Sequence, residues 1–346
     1  MQDEGLKEAL PPFKIANIEE PDFPQVPYLA KEEKIKLSPK KNYRRHTLVG
    51  LNIFATEMFN QFPDLMGYYK TDVTIPTFPA MPTAKPYDRL DLASKEILWQ
   101  ANNKTARLSV DRIQKTKDDL EVLVTITNLA GHKFPSGVGF RRAFLQFSVF
   151  GDDDLKPLWS SGRTSPSGVL MSESGNELES EFTKVKEKIQ KDHEIIISQN
   201  QVQIYETRHV NDQDKLTTSF LGLFDEYKDN RILPKGWLPT GKYNEITAPI
   251  DEGKRKDPKS TEIGQDQITY RIPLKEIEGA KSIEVGLYYQ SIPPYFLKER
   301  FDSCKDEKDC DATKRLYYLT THLKLKEGMK DWRLKLVTLK KELPKF

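Results

Sequence analysis

The side chains with most chemical potential in this sequence are its five histidines, His46, His132, His193, His209 and His322. His132 stands in the stretch Gly131-His132-Lys133-Phe134-Pro135-Ser136-Gly137-Val138-Gly139, between two apolar runs at 120–128 and 143–150. Glycine lets a backbone come close to a ligand, and Pro135 fixes its own φ, so this connection is held in place. A neutral imidazole on a held loop suits ligation of iron or zinc. The competing reading is a long hairpin in which His132 only hydrogen-bonds its own loop.

Other chemistries find no constellation. No two histidines have the spacing of a zinc-binding helix, and none lies near a cysteine. Gly-x-Ser-x-Gly is absent, so there is no nucleophile elbow. Gly137-Val138-Gly139 is followed by Phe140-Arg141-Arg142, without the further glycine or the Lys-Ser/Thr of a phosphate loop. Asp152-Asp153-Asp154 lacks the spacing of a calcium loop and reads as a solvated turn. Cys304 and Cys310 are the only cysteines. They flank a short charged loop, where they form a disulfide in an oxidising compartment or stand as two thiols in the cytosol.

The composition narrows the class. Lys plus Arg number 54 against 52 Asp plus Glu, a mixed and nearly balanced charge that gives no nucleic-acid footprint. No apolar run approaches the roughly 18 residues of a membrane span. Met1-Gln2-Asp3-Glu4-Gly5 is acidic, and no secretory signal is visible in the sequence. With 346 residues the chain can build a large core.

The elements that must position the histidines follow from periodicity. Residues 1–42, rich in Pro, Glu and Lys, read as an extended arm. Leu48, Leu51, Ala55, Met58 and Phe62 recur at helical steps and predict a helix over 45–62, with His46 in its first turn. The proline-rich stretch 71–86 reads as a linker, and a second helix is expected over 88–102. From Ala106 the period becomes two. Strands are expected from 106, then over 120–128, 143–150, 201–205, 267–274, 282–290, 315–323 and 332–340, with long polar loops at 151–199 and 233–265. Strands without intervening amphipathic helices predict a mainly β fold, an antiparallel β-sandwich, with an N-terminal extended arm and two helices. The division is an arm and helical segment over 1–105 and the sandwich domain over 106–346.

Several motifs in order carry a resemblance. They are Tyr43-Arg44-Arg45-His46-Thr47-Leu48-Val49-Gly50-Leu51-Asn52, the His132 loop with Arg141-Arg142, and Gln201-Val202-Gln203-Ile204-Tyr205-Glu206 with Thr217-Thr218-Ser219. Lys228-Asp229-Asn230-Arg231-Ile232-Leu233-Pro234-Lys235-Gly236-Trp237 and Gly286-Leu287-Tyr288-Tyr289-Gln290-Ser291-Ile292-Pro293-Pro294 complete the set. Together, from about residue 13 to about residue 300, they resemble the C-terminal part of a family of multihaem c-type cytochromes. The sequence departs from that family in having no Cys-x-x-Cys-His, so no haem c is covalently attached to this chain.

The resemblance implies an accessory scaffold for electron transfer, not a catalyst. Its haems would be carried by an upstream segment or a separate cytochrome subunit, in the periplasm or cell envelope. His46 and His132, with His193 as a third candidate, are then the ligands offered to haem iron. Adjacent strand residues point to opposite faces. One of Arg141 and Arg142 is therefore expected to meet haem propionates and the other to make an internal ion pair. His209 and His322 read as sheet and surface histidines. The alternative is a haem-free structural or binding sandwich of the cell envelope.

Overall fold

The computed structural model describes residues 49–68, 89–241, 243–256, 258, 263–305 and 309–344. The arm at 1–42, His46 and the 71–86 linker lie outside the described residues, and the helix expected over 45–62 begins only at Ile53, with Asn52 as its N-cap. In chain order the elements are α1 (Ile53–Gln61), α2 (Arg89–Gln100), β1 (Ala106–Lys115), β2 (Asp119–Asn128), β3 (Arg142–Phe150), β4 (Pro157–Ser161), β5 (Ile195–Ile196), β6 (Ile204–Val210), β7 (Leu216–Thr217) and β8 (Asp225–Asp229). They continue with α3 (Asn244–Thr247), β9 (Ile250–Asp251), β10 (Lys254–Arg255), β11 (Gln265–Pro273), β12 (Ser282–Gln290), α4 (Pro294–Ser303), α5 (Asp311–His322) and β13 (Leu334–Glu342).

The strands form two sheets. One has the order β1-β2-β11-β5, and the other β10-β9-β8-β6-β3-β12-β13, with β4 on β3 and β7 on β6. Pairing is antiparallel throughout, except that β5 runs parallel to β11. The mainly β, antiparallel sandwich expected from the period of two is therefore the observed fold. Its core lies between the sheets. Leu120, Val122, Val124 and Ile126 of β2 join Ile268, Tyr270 and Ile272 of β11 from one side. Leu145, Phe147 and Val149 of β3 and Ile283, Val285 and Leu287 of β12 come from the other. Phe147 stacks on Tyr270 across the gap, with ring centroids 4.1 Å apart. Ile53, Phe54 and Met58 of α1 and Ile97 of α2 add to the same cluster, which is why these helices carry an apolar stripe.

β3 is apolar on both faces because both are covered. Its outer face carries Phe144, which packs with Leu170, Leu178, Val202 and Ile204 in a second, smaller cluster. Most of that cover comes from the long connection between β4 and β6, which wraps the second sheet.

Two expectations are overturned. β2 and β3 belong to different sheets, so the segment between them crosses the sandwich and is not a hairpin. The strand expected over 315–323 is α5. Leu316, Leu319 and Leu323 meet the core at steps of three and four, while Tyr317 and Tyr318 face solvent. Helix α4, unanticipated, begins with Pro294 in its first turn, where the missing N–H costs nothing. Cys304 closes α4 and Cys310 opens α5, and the two are joined by a disulfide with Cα atoms 5.8 Å apart. Among the described residues no helix is long and apolar enough to cross a membrane.

Candidate functional site

The crossing segment 129–141 is anchored at its root by one side chain. Asn128, the last residue of β2, is 3% exposed, and its amide donates to the carbonyls of His132 at 2.8 Å, Ile232 at 3.0 Å and Leu233 at 3.2 Å. Its oxygen accepts from Ala130 N at 2.9 Å. Phe134 and Ile232 exchange backbone hydrogen bonds of 2.9 and 2.8 Å, a one-residue ladder that ties the loop to the segment after β8. The Phe134–Pro135 peptide is cis and Phe134 is buried beneath it.

A charge network closes the same seam. Lys133 Nζ meets Asp229 Oδ2 at 2.7 Å, and Arg231 forks onto both oxygens of Asp229 at 2.8 and 2.7 Å. Burial raises the Asp229 carboxyl, but Arg231 and Lys133 outweigh it and hold the group below its ordinary range.

His132 is exposed at the far end of this anchored turn. Its Nδ1 lies 2.9 Å from the carbonyl oxygen of Lys133. A carbonyl only accepts, so Nδ1 carries the proton and donates. The neutral ring then keeps its lone pair on Nε2, facing solvent. Metal-binding histidines are oriented by this device, the second ring nitrogen held by a backbone carbonyl. The competing reading, in which His132 only hydrogen-bonds its loop, describes Nδ1 and leaves Nε2 free for a ligand.

The two arginines part because β3 begins at Arg142, while Arg141 closes a turn with Val138 just before it. Arg142 is 1% exposed on the outer face of the second sheet. Its Nε donates to Gln290 at 2.8 Å and its two terminal nitrogens to Glu181 at 2.9 and 2.8 Å. Buried and held by Glu181 and Gln290, Arg142 makes the internal ion pair and does not reach the surface where a cofactor would lie. Arg141 folds back under its own loop, Nη1 3.5 Å from the Ser136 carbonyl, with its Nε buried and without a hydrogen-bond partner. A Cβ on Gly137, where φ is +97°, would sit 2.3 Å from Arg141 Nη1, so glycine is required there.

The remaining histidines lie elsewhere. His193, half-buried before β5, donates from Nε2 to the Gln190 side-chain oxygen at 3.1 Å. Burial, followed by the charge of Lys228, lowers its pKa to about 4, so it is neutral and its Nδ1 holds the lone pair. His209 of β6 packs on the backbone of Gly139, where a Cβ would lie 2.5 Å from its Cε1. His322 is exposed and stacks on Tyr318. Among the described residues no three His, Cys, Asp or Glu gather into a group able to hold a metal by themselves. Any metal at His132 must arrive with other ligands.

An apolar surface adjoins the loop. Phe140, at the end of the crossing segment, stacks on Phe296 and lies 6.0 Å from the Phe220 ring. Phe220, Leu221, Leu223 and Phe224 are respectively 58, 102, 37 and 76% exposed, a concentration of apolar side chains in water that marks a contact surface. Sequence reading passed over this run, and over Asn128 as the anchor. A run of exposed apolar residues looks like a buried strand until the solvent side is known.

The fold thus defines a helix-decorated antiparallel sandwich that presents an exposed histidine on a crossing loop. No family model matches the chain, and no curated protein matches it. Among solved structures it is similar to a penta-heme cytochrome c552 from Thermochromatium tepidum, at 13% identity over 71% of this chain, with a TM-score of 0.33. The similarity takes in 41% of that cytochrome, so the chain spans about two fifths of its length. At that level the likeness stands as an observation, and the functional argument falls to the residues.

Proposed function

We propose that this chain is the accessory scaffold of a multihaem c-type cytochrome, with the sandwich at 106–346 capping haems carried by an upstream segment or a partner subunit. The observation that carries the reading is His132, with Nδ1 tied to a backbone carbonyl and Nε2 open to solvent on an anchored loop. The ordered motifs from Tyr43 to Pro294 support it, as does the apolar run 220–224 that adjoins the same loop. The Cys304–Cys310 disulfide agrees with a periplasmic or envelope location. Haem bound here supplies one-electron chemistry at iron. His132 would hold its iron through Nε2, and Asn128 would keep the loop that presents it. Arg141, the less buried of the two arginines, is the one proposed to meet a propionate. His46 is the proposed companion ligand, and His193 the third.

The haem-free alternative rests on one observation, the absence of Cys-x-x-Cys-His from the sequence. A haem c peptide with one axial site open separates the two. Mixed with the purified chain, it is expected to become low-spin, with a shifted Soret band, in the wild type and His193→Ala but not in His132→Ala. An unchanged wild-type spectrum, or a His132→Ala protein that behaves as wild type, overturns the assignment.

A further inference from the structure

The outer face of the second sheet buries three cations, Arg142, Arg208 and Lys228, against two carboxylates, Glu181 and Glu206. Strand register places them together. Arg142 pairs across from Glu206, Lys228 pairs across from Arg208, and Arg208 is two residues from Glu206 on the same face. Two of the cations are saturated. Arg142 is held by Glu181 and Gln290. Lys228 Nζ donates to the carbonyls of Gln190 at 2.9 Å and Ile204 at 3.1 Å and to Glu206 Oε1 at 3.3 Å.

Arg208 differs. It is 8% exposed, yet its side chain donates no hydrogen bond to the described residues. Its nearest charged neighbour, Glu206 Oε2, lies 3.6 Å away, too far for a hydrogen bond, and that oxygen is itself buried without one. The guanidinium stacks over Tyr295 at 4.3 Å and opens on a two-lobed hollow. Its ion pair with Glu206 is longer than a hydrogen bond, so the guanidinium keeps donors for a ligand that enters the hollow.

The lobes are not equivalent. One is lined by Glu299, Asp302 and Glu181. Glu299 is ionised, because Thr218, Thr217 and Lys184 outweigh the effect of its burial, and it repels an anion. The other holds Phe140, Phe220 and Leu223 beside Arg208, with no carboxylate in its wall.

We propose that this second lobe binds the carboxylate of a small organic anion, with Arg208 as its bidentate donor and Phe140 and Phe220 against its apolar body. The planar guanidinium fork matches a carboxylate, and the aromatic walls favour a ligand that carries a ring or short chain behind it. The site is independent of haem and is tested on the chain alone.

The probes are benzoate and acetate, titrated at constant ionic strength and followed by NMR of backbone amides and the Arg208 Nε–H. Saturable shifts are expected at Arg208, Phe140, Thr217 and Phe220, with benzoate binding more tightly than acetate. Arg208→Gln abolishes them. Because that buried change can unfold the protein, Phe220→Glu is the second variant. Phe220 is exposed, so the new carboxylate leaves the fold intact and weakens benzoate at least about tenfold. Shifts that stay linear to about 100 mM benzoate, or that scatter over surface lysines and survive Phe220→Glu, show that Arg208 holds water only and overturn the proposal.

Discussion

Replacement of Asn128 by alanine tests the anchoring of the histidine loop most directly. The side chain faces three carbonyls and one amide, at 2.8, 3.0, 3.2 and 2.9 Å. Two amide hydrogens serve the three carbonyls, so about three full hydrogen bonds are at stake, at roughly 0.5–1.5 kcal/mol each. Truncation also leaves buried carbonyl oxygens unsatisfied, which brings the expected loss to about 3 kcal/mol. Urea unfolding reads the total. Amide exchange reads the location. The Phe134 and Ile232 amides, which bond each other's carbonyls, should lose roughly 100-fold of their protection if the seam opens with the anchor gone. Asn128→Asp should fare no better than alanine, because one carboxylate oxygen keeps the Ala130 amide while the other faces three carbonyl oxygens. The affinity of His132 for the haem c peptide should fall with the loop. A loss below about 1 kcal/mol, with unchanged protection at Phe134, would refute the claim that Asn128 holds the loop.

Two further outcomes follow from buried charge. Glu181→Gln takes from the 1%-exposed Arg142 guanidinium its bidentate ion-pair partner and should cost about 3 kcal/mol in urea unfolding. The double change of Arg142 and Glu181 to methionine should recover most of that loss, and a single variant as stable as wild type would show the pair to be dispensable. His193 has a folded pKa lowered to about 4 against an ordinary 6.5, by burial and then Lys228. Between those values the unfolded chain binds a proton that the folded protein excludes. Its contribution is therefore complete above pH 6.5, declines as pH falls toward 4, and is level below, for a loss of at most about 3 kcal/mol. His193→Gln should flatten that part of the stability curve, and parallel curves for variant and wild type would reject the assignment.

Much of the fold was legible because it is written in short-range periodicity. β2 and β11 alternate buried and less buried residues over most of their length, and the change of period at Ala106 marks the end of the helical segment. The same rule misled at residues 315–323. Tyr and Thr favour strands, and only contact with the core reveals that Leu316, Leu319 and Leu323 share one helical face. Alternation does not separate Arg141 from Arg142 either, because β3 begins at Arg142 and Arg141 closes a turn with Val138.

What the sequence determined alone was the long central strands, the class of fold and the singular setting of His132. All of these depend on residues within a few positions of one another. Tertiary structure decided which sheet each strand joins, and so turned an apparent hairpin into a crossing loop. It also decided that the 162–203 connection covers β3 and buries Arg142 against Glu181, 39 residues away in sequence. Arg208 was invisible for the same reason. A charged residue in a strand reads as solvent-facing until another segment closes over it. Whether its donors find acceptors depends on side chains brought from β6, the 217–218 turn and α4. Local patterning fixes which way a side chain points, whereas the partner it meets there is set by contacts distant in sequence that no local period encodes.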